Sequence, residues 1–105
     1  MRSKYHAVRT SYGGRLYDSK LEARFAQILD IARCAEDPAQ RVVWVAEKVK
    51  FTFPWGDSHK PDFIVGKADG SVCFIEVKGY KTRDGEKNRR ILEYFLGHAI
   101  TVWRG

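Results

Sequence analysis

A chain of 105 residues and 12.1 kDa with 19 Lys and Arg against 13 Asp and Glu, a formal charge of +6, is expected to be one small basic domain spanning residues 1–105. Its 44% apolar and 13% aromatic content excludes a disordered tail. No apolar run approaches the roughly 20 residues of a membrane span, and Met1-Arg2-Ser3-Lys4 leads into no signal-peptide core, so a soluble, intracellular protein without membrane partners is expected.

The first element is weakly marked. Gly13-Gly14 between the Tyr12 and Tyr17 runs predicts a short hairpin or a basic arm over residues 1–17. Ser19 followed by Glu22 is a capping box, and Leu21, Phe25, Ile28, Leu29 and Ala32 recur at helical spacing, predicting a helix from about Lys20 to Cys34. Residues 42–53, rich in β-branched and aromatic side chains, read as a strand kinked near Ala46, and Trp44 reads as core. Pro54 to Pro61 is rich in turn formers and predicts a loop carrying Trp55 and His59, with Trp55 a candidate for stacking or for a dimer contact.

Asp62 to Val65 then reads as a short strand, Asp69-Gly70 as a hairpin turn, and Val72 to Lys78 as the returning strand, apolar on both faces and therefore central. A second helix is predicted from Gly85 to Leu96, with Asp84 as N-cap and Ile91, Leu92 and Phe95 as its buried stripe, followed by a strand at Ile100–Trp103. Cys34 and Cys73, far apart and without a CxxC pattern, read as reduced, buried small hydrophobes.

Charge is segregated along this order. Arg2, Lys4, Arg9 and Arg15 against Asp18 give +3 over residues 1–18, and Lys78, Lys81, Arg83, Lys87, Arg89 and Arg90 against Asp84 and Glu86 give +4 over residues 78–90. The stretch between them is slightly acidic. Two basic segments around carboxylates fit a phosphodiester-binding surface, and equally fit ordinary solvated charge. On the first reading, Arg2, Lys4, Arg9, Arg15, Lys81, Arg83, Lys87, Arg89 and Arg90 are the candidate DNA-binding residues.

The chemistry-bearing cluster lies in the acidic middle. In an antiparallel pair the start of one strand lies beside the end of its partner, which brings Asp62 towards Glu76, and the period of two puts Glu76 and Lys78 on one face. Two hard oxygen donors and an ammonium group at a sheet end suit Mg²⁺, with Mn²⁺ as a substitute, beside a phosphate. Such an ion lowers the pKa of a bound water, and a lysine can orient that water or offset charge on phosphorus oxygens.

Pro61-Asp62 followed by Glu76-Val77-Lys78 resembles the PD-(D/E)xK nuclease superfamily, and the order of elements resembles its αβββαβ core. The resemblance implies an α/β (α+β) restriction-endonuclease-like fold, a mixed central sheet flanked by helices. Within the superfamily the chain looks closest to Holliday-junction resolvases of the bacteriophage endonuclease I type. That resemblance implies a Mg²⁺-dependent endonuclease acting on branched DNA, homodimeric and phage-encoded, in the bacterial cytoplasm. It also implies Asp62, Glu76, Lys78 and Glu22 as catalytic residues and Asp62, Glu76, Val77 and Glu22 as metal ligands, Glu22 matching by position a glutamate on the family's first helix. As the third residue after Ser19, Glu22 also has a plain capping role, and Glu47 is left as a supporting group. Alternatives are a TnsA-like or restriction-type nuclease of linear duplex, and a non-catalytic nucleic-acid-binding module.

Overall fold

The computed structural model of the protein describes residues 8–78 and 83–105, with Arg83 and Asp84 described by backbone alone. Two short strands, β1 (Thr10–Tyr12) and β2 (Arg15–Tyr17), pair antiparallel across Gly13-Gly14. Both glycines have positive φ, 58° and 80°, as a two-residue hairpin turn of matching twist requires. This hairpin folds back on the chain's own α1 (Lys20–Ala32): Tyr12 donates to Asp30 Oδ2 at 2.8 Å, and Tyr12 and Tyr17 pack against the core.

Helix α1 starts at Ser19, whose Oγ accepts from the Glu22 backbone N–H at 3.1 Å. It ends two residues short of Cys34. Its buried face is Glu22, Ala23, Phe25, Ala26 and Leu29, whereas Ile28, expected inside, is exposed. The buried stripe is thus turned toward Glu22 by one position relative to an all-apolar stripe.

The expected strand over residues 42–53 is two. Strand β3 (Val42–Glu47) stops at Lys48, which sits in the left-handed region at φ 55°, and the chain resumes as β4 (Phe51–Thr52), paired antiparallel with β5 (Ser58–His59) in a separate two-stranded ribbon. His59 therefore lies on a strand, not in a loop. Next come β6 (Phe63–Lys67), β7 (Val72–Val77), α2 (Arg83–Leu96) and β8 (Ile100–Trp103). Helix α2 begins before Asp84, which is accordingly inside the helix and not its cap.

The main sheet has the order β3-β6-β7-β8, antiparallel except for the parallel pair β7-β8. This is a mixed α+β domain with a mixed four-stranded sheet and two helices. Alternate residues of the central strand β7 divide the interior. Cys73, Ile75 and Val77 join Phe25, Leu29, Phe63 and Val65 on the α1 side, and Phe74 joins Phe53, Leu92 and Ile100 on the α2 side. Burying two apolar clusters on opposite faces of one sheet fixes its register, because a slip of one residue would exchange the faces.

Several side chains expected inside are not. Trp44 lies on the edge strand β3 and is exposed, its indole over Gly66, where an added Cβ would stand 2.0 Å from Trp44 Nε1. Phe95 is exposed on α2, and of the two free cysteines Cys34 is exposed and Cys73 partly buried. Among the described residues no helix is long and apolar enough to cross a membrane.

Candidate functional site

Three strand ends meet at one end of the sheet. The β6-β7 register pairs Phe63 with Ile75, and one further step places Asp62 opposite Glu76. On the other side of β6, Glu47 pairs with Phe63, and the Lys48 N–H donates to the Asp62 carbonyl at 3.3 Å. Lys48, Asp62 and Glu76 are therefore neighbours across three adjacent strands, and Glu22 reaches the same place from the first turn of α1.

The Asp62 carboxylate is held at both oxygens. Oδ2 accepts from the Val77 backbone N–H at 2.8 Å, and Oδ1 from Lys48 Nζ at 2.6 Å. The same ammonium pairs with Glu22 Oε1, and Asp18 Oδ2 stands 3.8 Å from it. The Ser19 hydroxyl donates to Glu22 Oε2 at 3.4 Å. The capping reading of Glu22 holds at its backbone N–H, which Ser19 caps, while its carboxylate meets Lys48 and the Ser19 hydroxyl and not the Ser19 backbone N–H.

Glu76 forms the other half. Its Oε1 pairs with His59 Nε2, brought in by β5, and its Oε2 lies 3.6 Å from Lys78 Nζ without a hydrogen bond, although it is buried. Glu76 and Lys78 share a face of the strand end, as their spacing predicts.

Burial pushes the pKa values of both Glu22 and Glu76 above the ordinary glutamate range, and the Asp62 charge adds to this in each case, against Lys48 beside Glu22 and against Lys78 beside Glu76. Burial alone would lower Lys48, but Asp62 and Glu22 together outweigh it and raise the ammonium. His59 is lowered by burial and by Lys78. With a proton on Nε2, the His59 ring donates to Glu76 Oε1, and Oε2 is the oxygen without a hydrogen-bond partner.

Among the described residues no three His, Cys, Asp or Glu side chains are grouped so as to hold a metal ion; Lys48 pairs with Glu22 and Asp62, and His59 with Glu76. The donor set is nonetheless what a hard divalent cation takes: carboxylate oxygens at a sheet end, one of them buried and unsatisfied.

The basic residues divide. Lys87 and Arg90 are exposed on α2 and make no ion pair among the described residues, and Arg9 is exposed ahead of the hairpin. Arg89 is turned inward, 15% exposed, and clasped by Glu86 and Glu93. Arg15 pairs with Glu47, tying the hairpin to the end of β3. Arg2, Lys4, Lys81 and the Arg83 side chain lie outside the described residues.

A family model described as "Protein of unknown function (DUF1064)" matches residues 2–103, nearly the whole chain and every element of the site. The chain belongs to the DUF1064 family. Neither the curated proteins nor the solved structures contain a match. The family supplies no activity, so the functional reading rests on the cluster itself. Two of its members carried little signal in the sequence. Lys48 alternates with Glu47 and Val49 as if on a solvated strand face, and only the break at its positive φ turns it onto Asp62. His59 reads from the sequence as a loop residue, either a plain surface histidine or one that touches DNA or transfers a proton; its place against Glu76 is not visible there, because that partner is 17 residues away and reached through the ribbon β4-β5. Glu22 left a sharper trace: it stands one helical turn before Phe25 and Ala26 and two before Leu29, in line with the buried stripe.

Proposed function

We propose that this chain is a metal-dependent endonuclease of the PD-(D/E)xK kind that hydrolyses phosphodiester bonds in DNA, with branched DNA as its substrate and a homodimer as its working form. The observation that carries the reading is the meeting of Asp62 and Glu76 at the end of β6 and β7, with Glu22 entering from α1 and Lys78 beside a Glu76 oxygen that has no hydrogen bond. The order α1, β3, β6, β7, α2, β8 supports assigning the sheet to the superfamily's αβββαβ core, with the two-stranded ribbons as additions.

Asp62, Glu76 and Glu22, with Val77, would hold Mg²⁺ or Mn²⁺, which supplies Lewis acidity and an activated water when bound. The chain's own residues do the rest. The Val77 N–H fixes the Asp62 carboxylate in orientation. His59 orients Glu76 through Oε1 and leaves Oε2 turned to Lys78. Lys78, 20% exposed at the side chain, is placed to steady a water or to offset charge growing on a phosphate oxygen. Lys87, Arg90 and Arg9 offer exposed cations to the flanking phosphates.

Incubating the protein with a synthetic four-way junction, a matched linear duplex and a single strand, with Mg²⁺ or EDTA, tests this. Nicking of the junction in Mg²⁺ alone is expected; preference for linear duplex would move the assignment to a TnsA-like or restriction-type enzyme. A second reading has one observation in its favour: Lys48 and His59 already neutralise or engage the carboxylates, as they would in a nucleic-acid-binding module without catalysis. That module binds the same DNA and leaves all three substrates intact.

A further inference from the structure

Away from the carboxylates, the turn between β4 and β5 and the second half of α2 build a shelf of aromatic rings. Phe53 is buried beneath it, stacked on Phe95 with ring centroids 5.9 Å apart, and 5.3 Å from Trp55. Trp55 and Phe95 lie 6.1 Å apart, and the Tyr94 ring stands edge-on to Phe95 at 5.7 Å. The upper rings face outward: Trp55 is 57% exposed, Phe95 53% and Tyr94 84%. Rings held in place by a buried partner yet left uncovered are unusual for a small monomer, and mark a surface that something covers.

Charge decides what. Lys87, Arg90 and Tyr94, spaced three and four residues apart, share one face of α2, and neither cation has an ion-pair partner among the described residues. Of the helix's acidic groups whose side chains are described, Glu86 and Glu93 pair with Arg89, and Glu93 Oε2 also accepts from the Ile100 N–H at 2.7 Å. A second copy docking here by two-fold symmetry would set the same patch against itself and bring unpartnered cations together. A polyanion with flat apolar faces meets both needs at once. Its phosphates answer Lys87 and Arg90, and its bases stack on the rings.

We propose that Trp55, Tyr94 and Phe95 form a stacking platform for unpaired bases of a nucleic-acid strand, with Lys87 and Arg90 holding that strand's phosphates. Trp55 is four residues from His59, whose ring meets Glu76, so their Cα atoms are at most about 14 Å apart. At about 3.4 Å per step along one strand, the Trp55 backbone lies within about four nucleotide steps of the His59 backbone, whose side chain meets Glu76. The substrate class is therefore nucleic acid with unstacked nucleotides next to the reacting phosphodiester, as at a branch, flap or single-stranded end. This deepens the proposed function and rests on its DNA-binding part, not on cleavage.

The test is equilibrium binding in EDTA, read by fluorescence anisotropy, of labelled oligothymidine and of a blunt duplex of equal length. Loss of one stacking ring is worth about five- to 150-fold in affinity. Tyr94→Ala is expected to weaken oligothymidine by at least that lower figure, Tyr94→Trp to restore it, and neither to move duplex affinity more than about twofold. Tyr94 is too exposed for its truncation to unfold the chain. Unchanged oligothymidine affinity in Tyr94→Ala, an equal loss on duplex, or a sedimenting dimer that Tyr94→Ala dissociates would each overturn the platform. Because no metal is present, absence of cleavage bears only on the nuclease reading and leaves this result standing.

Discussion

Replacing Lys48 by Met removes the ammonium that joins Glu22 to Asp62 while keeping a side chain of similar length at the same left-handed position. Two charge-assisted hydrogen bonds are lost, nominally about 1.5–3 kcal/mol each. Lys48 is 37% exposed at its side chain, so solvent screens the pair and about 2 kcal/mol in total is the reasonable expectation. For a chain of this length that is a fall in Tm of about 9 °C, measured by circular dichroism in EDTA. The deficit has a pH signature. Glu22 is already raised by burial, and without Lys48 it rises further; a raised carboxyl binds a proton more tightly in the folded state, so its stabilising contribution is present at low pH and lost as pH rises through the folded pKa. The variant should therefore lag wild type most at pH 8 and recover toward pH 5. Saturating Ca²⁺ or Mg²⁺ should raise the variant more than wild type, since an ion at about 100 times its Kd adds about 2.7 kcal/mol and now meets two carboxylates with no competing ammonium. A variant melting within a degree of wild type in EDTA at every pH, or an equal response of both proteins to the cation, would refute the reasoning.

Other expectations follow from particular contacts. Ser19→Ala removes the cap of α1 and the hydroxyl on Glu22; a loss of about 1 kcal/mol in urea unfolding is expected, largely restored by Ser19→Asp, and no change would mean the cap contributes nothing. Gly66→Ala drives a methyl into the Trp44 indole and should cost about 1–3 kcal/mol with a red shift of tryptophan emission as the ring swings into water; an unaltered spectrum would contradict the close approach. Leu92→Ala, at the centre of the α2-side cluster, should cost about 2–5 kcal/mol by thermal melting, and a smaller loss would show that cluster to be loosely packed.

The legible parts of the fold were those where local chemistry and tertiary packing agree. Gly13-Gly14 forms the hairpin turn that is one of the two readings of its segment, Ser19 caps a helix whose stripe is real, and Ile100–Trp103 is a strand both by composition and by its parallel pairing with the central strand. Reading failed where exposure is decided by distant neighbours. Trp44 is apolar and β-favouring, but its strand lies at the edge of the sheet, and Phe95 lies on a helix face that only the short turn before β5 partly covers. In the site, spacing alone carried Asp62, Glu76 and Lys78, since one hairpin and one period-two step place all three. Lys48 was hidden because a lysine gives no warning of a positive φ, and without that break it would sit in line with its strand.

The central claim is that the carboxylates at the end of β6 and β7 cleave DNA with a divalent cation. Single-turnover cleavage of a four-way junction in Mg²⁺ by wild type, Asp62→Asn and Glu76→Gln, with junction binding followed in Ca²⁺, tests it most directly. The account predicts cleavage by wild type, a loss of at least about 100-fold in either variant, and binding within a few-fold of wild type. Cleavage that survives in both variants, or a wild type that binds the junction and never cuts it, would contradict the claim.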